Sequence, residues 1–427
     1  MVKNLQSQSK LAAASYLIGE RLIRMFIGFF VHAWMARTLT PEEFGFISYI
    51  VKGVAVYYTF GLFGNDEVVI KELLSQKKEE QKNVLVTVTY LRLLIGTIGF
   101  VVMLLITGLA SGFGSETWYW MLIFGITIPM QALTVYELPF ISNMSMQPIF
   151  LARNSSYFIG VICKIIGLLK HFTKSSFIII YMIEEFFGKF FSAILAFKQG
   201  WCGGKFNSKL AYYILGPSLL SFFASFILLF DQRLPFLVLD YFGSATEIGK
   251  YAVVITLLDI ALLFPVSLAT AIFPSVVHGK NTSLEAYEKN RQHLANCLIW
   301  LGFAFAIVIW PLAPLIIKLL YGGKYLEVIP LLRGLAFTSI LNFYNVGRFK
   351  WFVLDKALPD WIALLISGLI IQSLALYLLI PQYGLNGIIG AVLLGQIIPN
   401  LLLVWRKNVR ESLKIFFRSL KIPNFIP

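Results

Sequence analysis

The chain predicts an all-α polytopic membrane protein, with about twelve transmembrane helices in two parallel six-helix halves around a central cavity. Three observations lead there. Of 427 residues, 58% are hydrophobic and 14% charged, with a mean hydropathy of +0.76. A water-soluble fold that apolar could not cover itself with polar groups. The apolar residues gather into runs of roughly 20, the length that crosses a hydrocarbon core of about 30 Å at 1.5 Å per residue. Finally, Lys and Arg sit asymmetrically in the loops between those runs.

The first run, 11–36, follows a short polar and basic start. It is too long for a signal-peptide core and lacks a small-residue cleavage pattern, so it reads as a helix. Further runs lie at 44–64, 84–109, 118–141, 148–169, 177–197, 210–239, 248–276, 293–320, 328–352, 361–380 and 385–405. Trp118, Tyr119 and Trp120 open the fourth as interfacial anchors. The seventh carries Asp231 and Arg233 towards its far end, and the eighth is interrupted by Pro265 and Pro274, where bending is expected. A tail follows that is rich in Arg406, Lys407, Arg410, Lys414, Arg418 and Lys421, suited to setting topology and to contact with anionic membrane lipids.

Loops on the N-terminal side hold 19 Lys and Arg against 4 on the other side. Positive charge stays inside, so both termini are expected in the cytoplasm. The same rule accounts for the net charge of +14 without nucleic acid. Cys163, Cys202 and Cys297 are scattered and odd in number, and His32, His171, His278 and His293 lack ligand spacing; neither disulfides, nor a metal site, nor a cofactor is expected. A shift of 204 residues lays Thr40-Pro41-Glu42-Glu43-Phe44-Gly45 on Ser244-Ala245-Thr246-Glu247-Ile248-Gly249. This internal repeat predicts two halves in the same orientation, 1–200 and 201–406, followed by the tail 407–427, with the substrate path between the halves.

Ionisable residues inside spanning helices are costly and usually face a bundle interior or a watery cavity. Glu20, Arg21 and Arg24 lie on the first helix, where Glu20 can pair with Arg24 and where Arg21, Arg24 and Gly28 share a face. Lys52 lies mid-way along the second, Arg92 in the third and Asp259 near the centre of the eighth. Arg92, Arg153, Lys164, Lys318 and Arg333 are near enough to helix ends to snorkel; Glu185 and Lys189 have the spacing of a structural pair. Arg21, Arg24, Lys52 and Arg92 are the candidates for an anionic head group such as a pyrophosphate, since their N–H groups make charge-assisted bonds to phosphate oxygens. Glu20 and Asp259 are the candidates for carrying a coupling ion.

Asp231-x-Arg233 near the end of a long helix, then Tyr241-Phe242-Gly243, then Thr246-Glu247-Ile248-Gly249-Lys250-Tyr251 opening the next, resembles bacterial polysaccharide and O-antigen unit flippases (Wzx-type) of the multidrug, oligosaccharidyl-lipid and polysaccharide exporter superfamily. Arg37 to Tyr49, Pro314 to Tyr325 and Leu379 to Ile388 match further turns of that family in the right order. The resemblance implies a bacterial inner-membrane flippase for an undecaprenyl-pyrophosphate-linked oligosaccharide, working by alternating access beside other membrane proteins of polysaccharide assembly. One rival is a drug or small-cation exporter of the same superfamily, where acidic residues would dominate the deep charges. A lipid II flippase would bring two additional helices. An enzyme such as a polymerase would need outer loops large enough to hold donor and acceptor, whereas these are about ten residues or fewer and carry no P-loop, GxSxG or metal-carboxylate motif.

Overall fold

The computed structural model describes residues 23–64, 66–143, 147–242 and 244–421, and among them every regular element is helical. Internal contacts divide the chain into two units, Met1–Arg233 and Leu234–Pro427.

In the first unit, α1 (23–38) turns through Leu39 and Thr40 into α2 (Pro41–Gly61). The tight turn is fixed by a capping box: Thr40 accepts from the Glu43 N–H while the Glu43 carboxylate accepts from the Thr40 N–H at 3.0 Å. After the short α3 (Asp66–Ser75) comes α4 (Lys78–Ser111). The fourth predicted run is a broken path: α5 (Glu116–Gly125), α6 (Thr127–Met130), a tight 3-10 stretch Gln131–Glu137, and α7 (Leu138–Ser142). Pro129 and Pro139, which lack an N–H and crowd the preceding turn, explain why this path cannot stay a regular helix. The hairpin of α8 (Gln147–Leu169) and α9 (Lys174–Lys198) completes the unit together with the first part of α10 (Ser208–Tyr241), whose Phe222 and Phe226 meet Phe60 edge-on.

The second unit continues from α10 into α11 (Ala245–Ala261) and α12 (Leu263–Thr282). Ser244 caps α11 by accepting from the Glu247 N–H at 3.2 Å, so the two turns aligned by the internal repeat carry the same N-cap chemistry. The eighth run breaks after Ala261, the residue whose carbonyl the ring of Pro265 would strike four positions on, while Pro274 is absorbed inside α12. There follow α13 (Leu284–Leu320), α14 (Ile329–Leu354), α15 (Leu358–Tyr383), α16 (Gly387–Leu402) and α17 (Lys407–Lys421). α13 packs along α14 and α15 along α16.

Eight stretches among the described residues are long and apolar enough to span a bilayer. Their side chains are arranged inside out relative to a water-soluble helix. On α8, Asn154, Ser156 and Lys164 are buried while Ile159, Ile162 and Ile166 are about half exposed, at 54, 55 and 46%. Only an apolar solvent makes that distribution favourable, and the chain is a multi-pass membrane protein.

The basic tail folds over 407–421 as the amphipathic helix α17, whose Val409, Ser412, Ile415 and Ser419 are buried against α13 and α14. Gln292 Nε2 donates to the Ile415 carbonyl (3.1 Å) and Ser419 Oγ (2.7 Å), Trp300 Nε1 to the Ser419 carbonyl (3.2 Å), and Tyr344 Oη to the Ser412 carbonyl (2.6 Å). Lys407, Arg410, Lys414 and Arg418 remain on the exposed face. Apolar residues spaced three and four apart bury one stripe and leave the charges on the other.

Candidate functional site: a buried charge cluster in the first unit

The polar centre of the first unit is assembled by α1, α2, α8 and α9. α8 and α9 face each other through Lys164 and Glu184, whose Nζ and Oε2 lie 2.6 Å apart with side chains only 5 and 12% exposed. Gly160 makes the room: a Cβ there would stand 2.4 Å from Glu184 Oε2. One residue on, Glu185 pairs with Lys189, which also donates to the Glu185 carbonyl at 3.1 Å. Aromatic rings floor the cluster. Lys164 Nζ sits 3.6 Å from the centre of the Tyr181 ring, and the Arg24 guanidinium 4.7 Å from that of Tyr157. Tyr157 Oη donates back to the Arg24 carbonyl at 2.7 Å, an approach that Gly28 permits, since a Cβ there would meet that hydroxyl at 2.9 Å.

The remaining charges converge on the same place. Arg24 acts electrostatically on both Glu184 and Glu185, and Lys52 and Lys164 act together on the half-buried His32. The cluster thus gathers Arg24, Lys164 and Lys189 around two carboxylates, while Lys52 bears on it through His32. Beneath it, Tyr58 Oη meets Thr127 Oγ1 at 3.1 Å, at the break between α5 and α6. Such an arrangement holds two carboxylates compensated away from bulk water.

Of the residues singled out from sequence, Arg24 belongs to this cluster and Lys52 acts on His32 beside it. Arg21 and Glu20 lie outside the described residues. Arg92 is held elsewhere, at the start of α3: its Nε and Nη2 donate to the carbonyls of Phe63 and Gly64 at 2.9 Å, Nη1 donates to Thr134 Oγ1 at 3.0 Å, and Asp66 pairs with it. Asp259 is half-buried on α11 in the second unit. Lys164 does not snorkel; Glu184 compensates its charge inside the unit, which removes any need to reach the interface. Sequence reasoning did not join Lys164 to Glu184, nor assign Tyr157 and Tyr181 to the site. The one available signal was the stripe Tyr157, Gly160, Lys164, Gly167, whose three- and four-residue spacing puts a cation beside two glycines on one face of α8.

A family model described as "Polysaccharide biosynthesis protein" matches residues 34–330. No curated protein sequence matches the chain. Among solved structures, the inward-facing conformation of a multidrug resistance MATE family transporter of the MOP superfamily is similar, with a TM-score of 0.73 at 13% identity over 96% of this chain and 99% of that one. So is the lipid II flippase MurJ in an inward closed conformation, with a TM-score of 0.74 at 15% identity over 95% of this chain and 90% of that one. A point mutant of the Vibrio cholerae MATE transporter VcmN gives a TM-score of 0.56 at 14% identity over 98 and 99% of the two chains. At these identities the likeness is one of fold, whereas the family model covers well over half of the chain. The chain belongs to the polysaccharide biosynthesis protein family and has the fold of the transporters and flippases of the MOP superfamily.

Proposed function

We propose that this protein is a flippase that moves an undecaprenyl-pyrophosphate-linked oligosaccharide across the bacterial inner membrane by alternating access. The observation that carries the reading is membership of a polysaccharide biosynthesis family, joined to the buried cluster of the first unit, where Arg24, Lys164 and Lys189 gather at Glu184 and Glu185. Positive charge held in a low-dielectric setting attracts a pyrophosphate far more strongly than it would in water. The glycan and pyrophosphate travel between the six-helix halves 1–200 and 201–406 while the polyprenyl chain stays in lipid, and the halves rock about that path. Both termini face the cytoplasm, where the substrate is made. Membership of a polysaccharide biosynthesis family supports a sugar-bearing cargo.

The test is deletion of the gene followed by separate measurement of lipid-linked oligosaccharide and surface polysaccharide. Accumulation of the former on the cytoplasmic side with loss of the latter is expected. Normal polymer together with new sensitivity to cationic drugs replaces the reading with that of a drug exporter. Unflipped precursor that disappears altogether points instead to an enzyme of assembly.

A further inference from the structure

The second unit contains a buried cation that the transport reading does not use. Arg348, near the end of α14, is 3% exposed, and its guanidinium carbon lies 5.9, 5.3 and 5.9 Å from the ring centres of Tyr344, Phe352 and Trp361. These rings hold the plane of the group but accept no full hydrogen bond. Its Nε and Nη2 are both buried with no acceptor among the described residues. Those two atoms are the pair whose N–H bonds run parallel along one edge of a guanidinium, the edge that takes two oxygens of a phosphate at once. Among the described residues two further buried donors lack an acceptor, Trp351 Nε1 and the Nε of Arg291, whose Nη1 pairs with Asp355 at 3.6 Å. The Trp351 ring centre is 5.7 Å from that of Tyr344, and Arg291 and Arg348 both act on Tyr344 electrostatically. A buried charge in this condition is among the costliest groups a fold can carry, and its cost vanishes when an anion meets it.

We propose that Arg348 is the centre of an anionic phospholipid site, its Nε–Nη2 edge taking the head-group phosphate and Arg291 and Trp351 supplying further N–H donors. Three features favour a lipid over a free ion. Arg348 lies six residues from the end of α14, about 9 Å along the axis at 1.5 Å per residue, the depth of a head group rather than of bulk water. Phe349 and Val353, 39 and 48% exposed on the same helix, offer an apolar flank for acyl chains. Nearby α17, held to Tyr344 through Ser412, presents Lys407, Arg410, Lys414 and Arg418, which concentrate anionic lipids beside the site.

The experiment measures thermal unfolding of the full chain in neutral detergent with added phosphatidylglycerol, phosphatidylcholine or inorganic phosphate. Phosphatidylglycerol is expected to raise the midpoint by several degrees, as a ligand bound only by the folded state must, while phosphatidylcholine and inorganic phosphate leave it in place. Arg348→Met is expected to lose that response, and Arg348→Lys, which keeps charge without the parallel edge, to show it at about tenfold higher lipid concentration. An equal response in wild type and Arg348→Met overturns the proposal. Equal stabilisation of wild type by inorganic phosphate overturns the lipid as the source of the anion. Should Arg348→Met fail to fold, wild type decides alone, because a response to phosphatidylglycerol no larger than that to phosphatidylcholine also overturns it.

Discussion

Lys164 and Glu184 tie α8 to α9 by a 2.6 Å ion pair between side chains that are almost wholly buried. A pair of this kind costs little while intact but leaves an uncompensated charge when one partner is removed. Glu184→Gln is therefore expected to destabilise the protein by about 3–5 kcal/mol. Lys164→Met with Glu184→Met should recover most of that loss. Thermal unfolding of the three variants in detergent checks it, and a double variant no better than the single one would show that the pair does not act as a unit.

Gly160 faces the Glu184 carboxylate so closely that a Cβ would stand 2.4 Å from it. Gly160→Ala should cost about 1–3 kcal/mol through overpacking. The cost should fall in a chain that already carries Lys164→Met and Glu184→Ala, because the atom being displaced is gone. The non-additivity of that cycle is the measurement, since residues in contact couple and distant ones do not.

Arg24 and Lys52 bear on transport. Replacing either with Gln should lower surface polysaccharide at least several-fold while protein abundance stays level, and Arg24→Lys should retain part of the activity because charge survives without the planar fork. Full transport by the Arg24→Gln, Lys52→Gln double variant would remove the cluster as the pyrophosphate site.

Arg92 should behave in the opposite way. Its donors are committed to the Phe63 and Gly64 carbonyls and to Thr134, so Arg92→Lys is expected to reduce abundance and folded yield by leaving buried acceptors unmet. Transport per folded molecule should be unchanged. Immunoblots set against polysaccharide yield separate the two effects.

Reporter fusions address orientation. Lys205 and positions after Trp405 should report cytoplasm, and Gly114 and Ser244 the opposite side. A cytoplasmic Ser244 is incompatible with the expected order of spans.

The helices and several of their ends were legible because membrane-length hydropathy and capping are local properties. Thr40 and Ser244, aligned by the repeat, do cap corresponding helices, each with a glutamate three residues on. The pairing of Lys164 with Glu184 was not legible, because it joins residues twenty apart across a hairpin and no one-helix pattern encodes it. The setting of Arg92 was hidden for another reason: two of its acceptors are backbone carbonyls, which have no side-chain signature. In α17 the stripe of small and apolar residues through Val409, Ser412, Ile415 and Ser419 was present but outweighed by the charges beside it, so composition read as a tail where periodicity would have read as a helix.

The docking of α17 also orders the birth of the molecule. A ribosome delivers α13 and α14 before α17, so the donors of Gln292, Trp300 and Tyr344 meet these acceptors only once α17 has been made. A chain stopped short of Ser412 would lack the acceptors that these donors on α13 and α14 find on α17, leaving that side of the second unit unsealed.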